Sequence, residues 1–200
     1  MKKILTTAIL CAGLVGFTAC DSFLDEDPKS SLTLDTYYKT SADIIGNVNY
    51  LYRDGAPDKM GNMTGAYRGS SLSVMNMVTG YFVNEYEGQE VDCSYARQLT
   101  RQDFTQSCCN YLTNDTWKSC YKSINVANAV IKYVDGVEMD NQAQYKAEAR
   151  FFRALNYFYL VKMFGDVPMV TEPTEDATLV EYPTRTAASE VFNTVIIPDL

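Results

Sequence analysis

The chain has 200 residues, with 17 basic and 25 acidic side chains, no histidine and a net charge of −8 at pH 7. This balance argues against a nucleic-acid surface, whose phosphates demand clustered Lys and Arg, and against a polybasic membrane patch. Without histidine, His-based triads, His metal sites and His general bases are excluded.

The N-terminus reads Met1-Lys2-Lys3, then a largely apolar run from Ile4 to Val15, then Gly16-Phe17-Thr18-Ala19-Cys20. A positive stretch, an apolar stretch and small residues before a cut form a secretory signal peptide. The run is shorter than the about 20 residues a permanent membrane helix needs. Ending on Cys20, it resembles the lipobox of bacterial lipoproteins, in which the cysteine is acylated and becomes the first residue; Phe17 stands where Leu is usual. Acyl chains partition into a bilayer at about 0.8 kcal/mol per buried CH₂. In the eight residues after Cys20 four are acidic. They read as a solvated tether and resemble surface-export signals of Bacteroidota lipoproteins. The expected organisation is a signal peptide over 1–19, lipidated Cys20 and an acidic tether over 20–35, and a helical part over 36–200.

Thr40 to Asp43 forms a capping box with Asp in place of Glu. Ile44, Ile45, Val48, Leu51 and Tyr52 then recur at helical spacing, predicting a helix over 41–53. Residues 54–70, rich in Gly, Asn and Asp, read as a loop, and 72–77 as a short helix. Residues 81–106 are polar, aromatic and aperiodic. From about Asp115 to Val134, Trp117, Tyr121, Ile124, Asn128 and Ile131 share one helical face. After a polar break, Tyr145, Ala149, Phe152, Leu155, Tyr159 and Met163 form a second stripe over 142–164. Gly165 is a C-terminal stop and Pro168 forbids prompt resumption. Two long helices joined by a short turn make an antiparallel hairpin. A third helix begins after Thr186, read as its N-cap, with Val191, Phe192 and Val195 inward. The fold expected is all-α: tetratricopeptide-like hairpins with long irregular loops. The last residues stop in or just beyond an amphipathic helix, as in the front part of a longer, incomplete fold.

Of the six cysteines, Cys93, Cys108, Cys109 and Cys120 lie beyond the lipobox; export permits disulfides, and four cysteines allow three complete pairings, none selected by spacing. They lack paired C-x-x-C spacing, so structural or free thiols are expected and no metal site. No phosphate-binding glycine motif occurs, so a phosphate cradle is not expected.

The segment Tyr145-Lys-Ala-Glu-Ala-Arg-Phe-Phe-Arg-Ala-Leu-Asn-Tyr-Phe-Tyr-Leu-Val-Lys-Met-Phe-Gly-Asp-Val-Pro168 resembles the signature helix of the SusD/RagB family, roughly E-A-R-F-L-R-A-x-x-Y-F-x-L-V-x-x-F-G-D-V-P. Trp117, Tyr121 and Ile124-Asn125-Val126-Ala127-Asn128 are similar to its preceding helix, and Pro183-Thr184-Arg185 before Glu190-Val191-Phe192 to its next segment. Phe23-Leu24-Asp25 and Pro28 fit its N-terminus, while Ala147 stands where the family often has Gly. The resemblance implies a non-enzymatic, outer-membrane, cell-surface lipoprotein on a tetratricopeptide-like scaffold, with no organic cofactor. It also implies a TonB-dependent, SusC-like transporter as partner and an oligosaccharide or peptide as ligand. The structural signature is then Trp117, Asn128, Glu148, Arg150, Arg153, Gly165 and Pro168. Glu148, Arg150 and Arg153 read as internal ion pairing rather than ligand clamping, and Asn128 as a buried hydrogen-bonding residue.

No ligand residue carries over from the family. From residue chemistry alone, Tyr81, Asn84, Tyr86 and Tyr95 combine stacking rings with an amide donor and acceptor, and the alternative is that they pack the loop on the helices. The 15 tyrosines suit sugars, or equally the packing of helices. A protein-only helical adaptor, a carboxylate-dependent hydrolase and a truncated product remain as alternatives.

Overall fold

The computed structural model describes residues 33–53, 77–81, 98, 100–103, 107–174 and 183–200. The loop expected over 54–70, and most of 72–77 and 81–106, lie outside these. After a single turn α1 (Leu34–Tyr37), α2 spans Ser41–Arg53 and α3 spans Ser107–Tyr133. A 3-10 turn, Val134–Gly136, leads towards α4 (Gln142–Phe164), and the chain ends in α5 (Ala188–Val191), a π turn Phe192–Ile196 and α6 (Ile197–Asp199). The all-α expectation holds: among the described residues the β-type pairing is one isolated antiparallel bridge between Val167 and Thr186. None of their helices is long and apolar enough to cross a membrane.

The Thr40 capping box forms as the sequence predicts. Asp43 Oδ2 accepts from the Thr40 backbone N–H at 2.8 Å and from Thr40 Oγ1 at 2.7 Å, and Asp43 N–H donates back to Thr40 Oγ1 at 3.4 Å. These bonds hold the Asp43 carboxyl below its ordinary range. α2 then buries Ile44, Val48 and Leu51 completely or nearly so. Each such side chain removed from water stabilises the fold by about 2 kcal/mol.

α3 and α4 are the antiparallel hairpin, and they pack along each other. Because they run in opposite directions, the C-terminal half of α3 meets the N-terminal half of α4. Ala127, Val130, Val134, Ala149 and Phe152 there form one core cluster with α2. At the other end Cys120 and Ile124 of α3 meet Ala154, Tyr157, Leu160 and Val161 of α4, and Val167, Val191, Val195 and Ile196 close a second cluster. Cys120 is buried there as a thiol.

Three expectations need correction. α3 starts at Ser107, not near Asp115. No Gly or Pro interrupts 107–133, so the helix extends through a polar stretch whose weak apolar period concealed it. In α4, Leu155, Tyr159 and Met163 are only partly buried, while Ala154, Tyr157, Leu160 and Val161 are buried. The buried face shifts because α4 passes from beneath α2 to beneath the C-terminal run. Finally, Thr186 is not the N-cap of the third helix. Its N–H and C=O pair with Val167 at 2.9 and 3.1 Å, and the cap comes from Asp166, whose Oδ1 accepts from Ala188 N–H at 3.0 Å.

Candidate functional site

Gly165 ends α4 with φ +69° and ψ −124°, backbone space that favours glycine, while its N–H still bonds Val161 O at 2.9 Å. Residues 166–174 are then laced to the hairpin by its side chains. Tyr121 Oη donates to Pro168 O at 2.7 Å. Tyr157 Oη donates to Val170 O at 2.8 Å and accepts from Val170 N–H at 2.7 Å. Asn128 Nδ2 donates to Val170 O at 3.0 Å and to Glu172 O at 3.2 Å, and Asn125 Oδ1 accepts from Thr174 N–H at 2.8 Å. Burial pushes the Tyr157 phenol up to about 12 and raises that of Tyr121 further.

Arg153 joins this strap to the end of the described chain. Its Nη1 donates to Asn128 Oδ1 at 3.0 Å, while Nε and Nη2 grip the two Asp199 oxygens at 2.6 and 2.9 Å. The Asp199 side chain is 4% exposed, so the forked guanidinium supplies the bonds that water cannot. Arg150, half exposed, approaches the same carboxylate at 3.8 Å. Glu148 instead accepts from Gln144 Nε2 at 2.8 Å and bonds Tyr52, whose phenol is raised by desolvation and by the Glu148 charge. At the far end Trp117 packs edge-on to Phe164 with ring centres 5.0 Å apart, and the Arg185 guanidinium lies 5.9 Å from the Trp117 ring. Arg185 Nη1 also donates to Asp166 O at 2.7 Å, at the negative end of α4.

The signature residues Trp117, Asn128, Arg150, Arg153, Gly165 and Pro168 thus surround one latch, with Glu148 on the adjoining face. The sequence reading missed Tyr121, Tyr157, Asn125 and Asp166 as its other members. Their usable signal was polar tips at helical spacing facing a segment that follows a glycine stop.

Of the candidate ligand residues, Asn84, Tyr86 and Tyr95 lie outside the described residues, as does Cys20. Tyr81 is 89% exposed, beyond a turn with Gly80 at φ +78°. Its N–H donates to Thr79 Oγ1 at 3.3 Å.

A cleft of about 510 Å³ opens between the first turn of α2 and the turn before α4. Ile45, Met139 and Tyr145 line it with apolar surface, and Ser41, Glu138, Asp140 and Asn141 with polar groups. Gln142 Nε2 ties this turn to Val134 O at 3.2 Å and also to Val137 O. Asn141, at φ +61°, closes it. The sequence reading did not find this cleft, because α2 and the turn are far apart in the chain.

Comparison with known proteins gives a consistent result. The family described as "Starch-binding associating with outer membrane" matches residues 22–200. Two SusD-like proteins of Formosa agariphila are each 27% identical, over 164 and 199 residues. These alignments cover 78% and 98% of this chain but 29% and 36% of the relatives. A SusD-like protein of Bacteroides ovatus is 26% identical over 96% of this chain and 32% of its own length. The chain therefore spans about a third of the length of the curated relatives it matches. A SusD superfamily protein from Parabacteroides distasonis shares the fold, with a TM-score of 0.60 at 24% identity over 84% of this chain and 33% of that one.

Proposed function

The chain belongs to the SusD-like family of starch-binding proteins associated with the outer membrane, and on that premise we propose that it is part of a surface lipoprotein that captures oligosaccharides and hands them to a TonB-dependent, SusC-like transporter. The observation that carries this reading is the family match over 22–200. The latch around Asn128, Arg153 and Gly165 supports a scaffold role for the signature helix, because its polar groups bond main chain and one another. The anchor is acylated Cys20, set after a signal peptide over 1–19 and followed by the acidic tether over 20–35. Tyr81, whose ring is exposed, and Asn84, Tyr86 and Tyr95 supply the stacking and amide groups for the ligand. The protein acts by binding, without cofactor or turnover.

Calorimetric titration of the complete protein with starch-derived and other neutral oligosaccharides tests capture, and isolation from the native outer membrane tests the partner. The expected outcome is saturable binding, weakened several-fold by Tyr81→Ala, since the lost ring is the apolar surface on which a sugar face would pack, and co-purification of a large β-barrel. A protein that binds partners but responds to no oligosaccharide would instead be a helical adaptor.

A further inference from the structure

The cleft between α2 and the α3–α4 turn has a chemistry of its own. About 510 Å³ lies within the size range of small-ligand sites, roughly 300–1,000 Å³. The Tyr145 ring and the side chains of Ile45 and Met139 offer apolar surface. Around them stand the hydroxyls of Ser41 and Tyr145, the Asn141 amide and the carboxylates of Glu138 and Asp140. None of these five polar side chains hydrogen-bonds a described residue, in contrast to Asn128, Arg153 and Tyr157 of the latch. Lys146, the nearest cation in sequence, is paired with Asp135 and does not line the cleft.

We propose that this cleft is a second saccharide subsite, distinct from the Tyr81 loop and selective for neutral sugar units. The proposal rests on the reading that the protein captures glycans. A pyranose presents an apolar C–H face, which packs on the Tyr145 ring, and a rim of hydroxyls. Glu138 and Asp140 accept hydrogen bonds from those hydroxyls, and bonds to ionised acceptors are the stronger kind. Asn141 and Ser41 add both donors and acceptors. The same two carboxylates, with no cation among the described residues that line the cleft and a chain charge of −8, repel uronate or sulfated sugars.

Titration of the complete protein with a panel of neutral hexasaccharides (α-glucan, β-glucan, xylan and mannan fragments), and with an oligogalacturonide of equal length, tests this. The variants are Glu138→Gln with Asp140→Asn, whose exposed positions leave the core intact, and Tyr145→Leu, which keeps apolar bulk without the ring. The expected result is binding of at least one neutral oligosaccharide and none of the anionic one. The carboxamide variant weakens that binding about tenfold at unchanged Tm, and Tyr145→Leu, whose ring also packs on the first core cluster, weakens it as much while circular dichroism shows the helices retained. Neutral binding that Tyr81→Ala abolishes and both cleft variants leave untouched overturns the subsite while sparing the capture reading. Tighter binding of the oligogalacturonide overturns the selectivity and with it the proposal. No binding of any oligosaccharide overturns both.

Discussion

Tyr157 Oη serves one residue twice, giving a hydrogen bond to Val170 O and taking one from Val170 N–H. The phenol does this only while protonated, and burial pushes its pKa from 10.0 to about 12. In the unfolded chain the group ionises near 10, so the folded state holds its proton more tightly. A raised folded-state pKa contributes stability that is complete below pH 10 and is lost as pH climbs from 10 towards 12. Tyr38, raised to about 12 by burial and the neighbouring Tyr37, acts in the same direction. Thermal unfolding followed from pH 8 to 11.5 is therefore expected to show Tm level to about pH 10 and falling above it, with a shallower fall in Tyr157→Phe. A flat profile through pH 11, or equal slopes in the two proteins, would contradict this. Residues of this kind were half legible. The resemblance singles out Asn128 and Arg153, but it gives no partner for Arg153. Asp199 lies 46 residues further on, and a charge pair across the fold leaves no periodic trace in sequence.

At the scale of elements, legibility followed the strength of local signals. α2 was readable at both ends because its capping box and apolar period are contiguous, and Gly165 marked the end of α4. The start of α3 was hidden by polar residues, and the N-cap of α5 was misassigned to Thr186 because sequence shows only local candidates. Asp166 reaches Ala188 from 22 residues away, and the Val167–Thr186 bridge brings it there. The two residues can be separated by mutation. Asp166→Ala removes the cap and is expected to lower stability by about 1 kcal/mol. Thr186→Ala keeps the main-chain N–H and C=O that form the bridge, so its effect is expected within about 0.5 kcal/mol, as at ordinary surface positions. Urea titration of both variants decides between them. A larger loss from Thr186→Ala than from Asp166→Ala would return the cap to Thr186.

The two core clusters meet in α4, which buries Ala149 and Phe152 beside α2 and Tyr157, Leu160 and Val161 beside the C-terminal run. A helix gains most of its stability from the faces it buries, so neither half of α4 has reason to persist once the other is stripped. The strap reinforces the coupling. Arg153 bonds Asn128 on α3 and Asp199 on α6, and lies in sequence between the two clusters' side chains. None of this coupling is visible along the chain, where the buried side chains of the two clusters follow one another in α3 and in α4 as one continuous apolar pattern. The single tryptophan, Trp117, packs against the second cluster, whereas Leu51 is buried in the first. Leu51→Ala should remove about 2–5 kcal/mol by leaving a cavity beneath α2. If the clusters unfold as one, the urea midpoint read by Trp117 fluorescence moves down as far as the midpoint read by helical circular dichroism. Leu160→Ala, at the opposite end, is expected to move the two signals together in the same way. A Trp117 transition that stays in place when Leu51 is truncated would instead make α2 and its cluster a unit that opens independently of the latch.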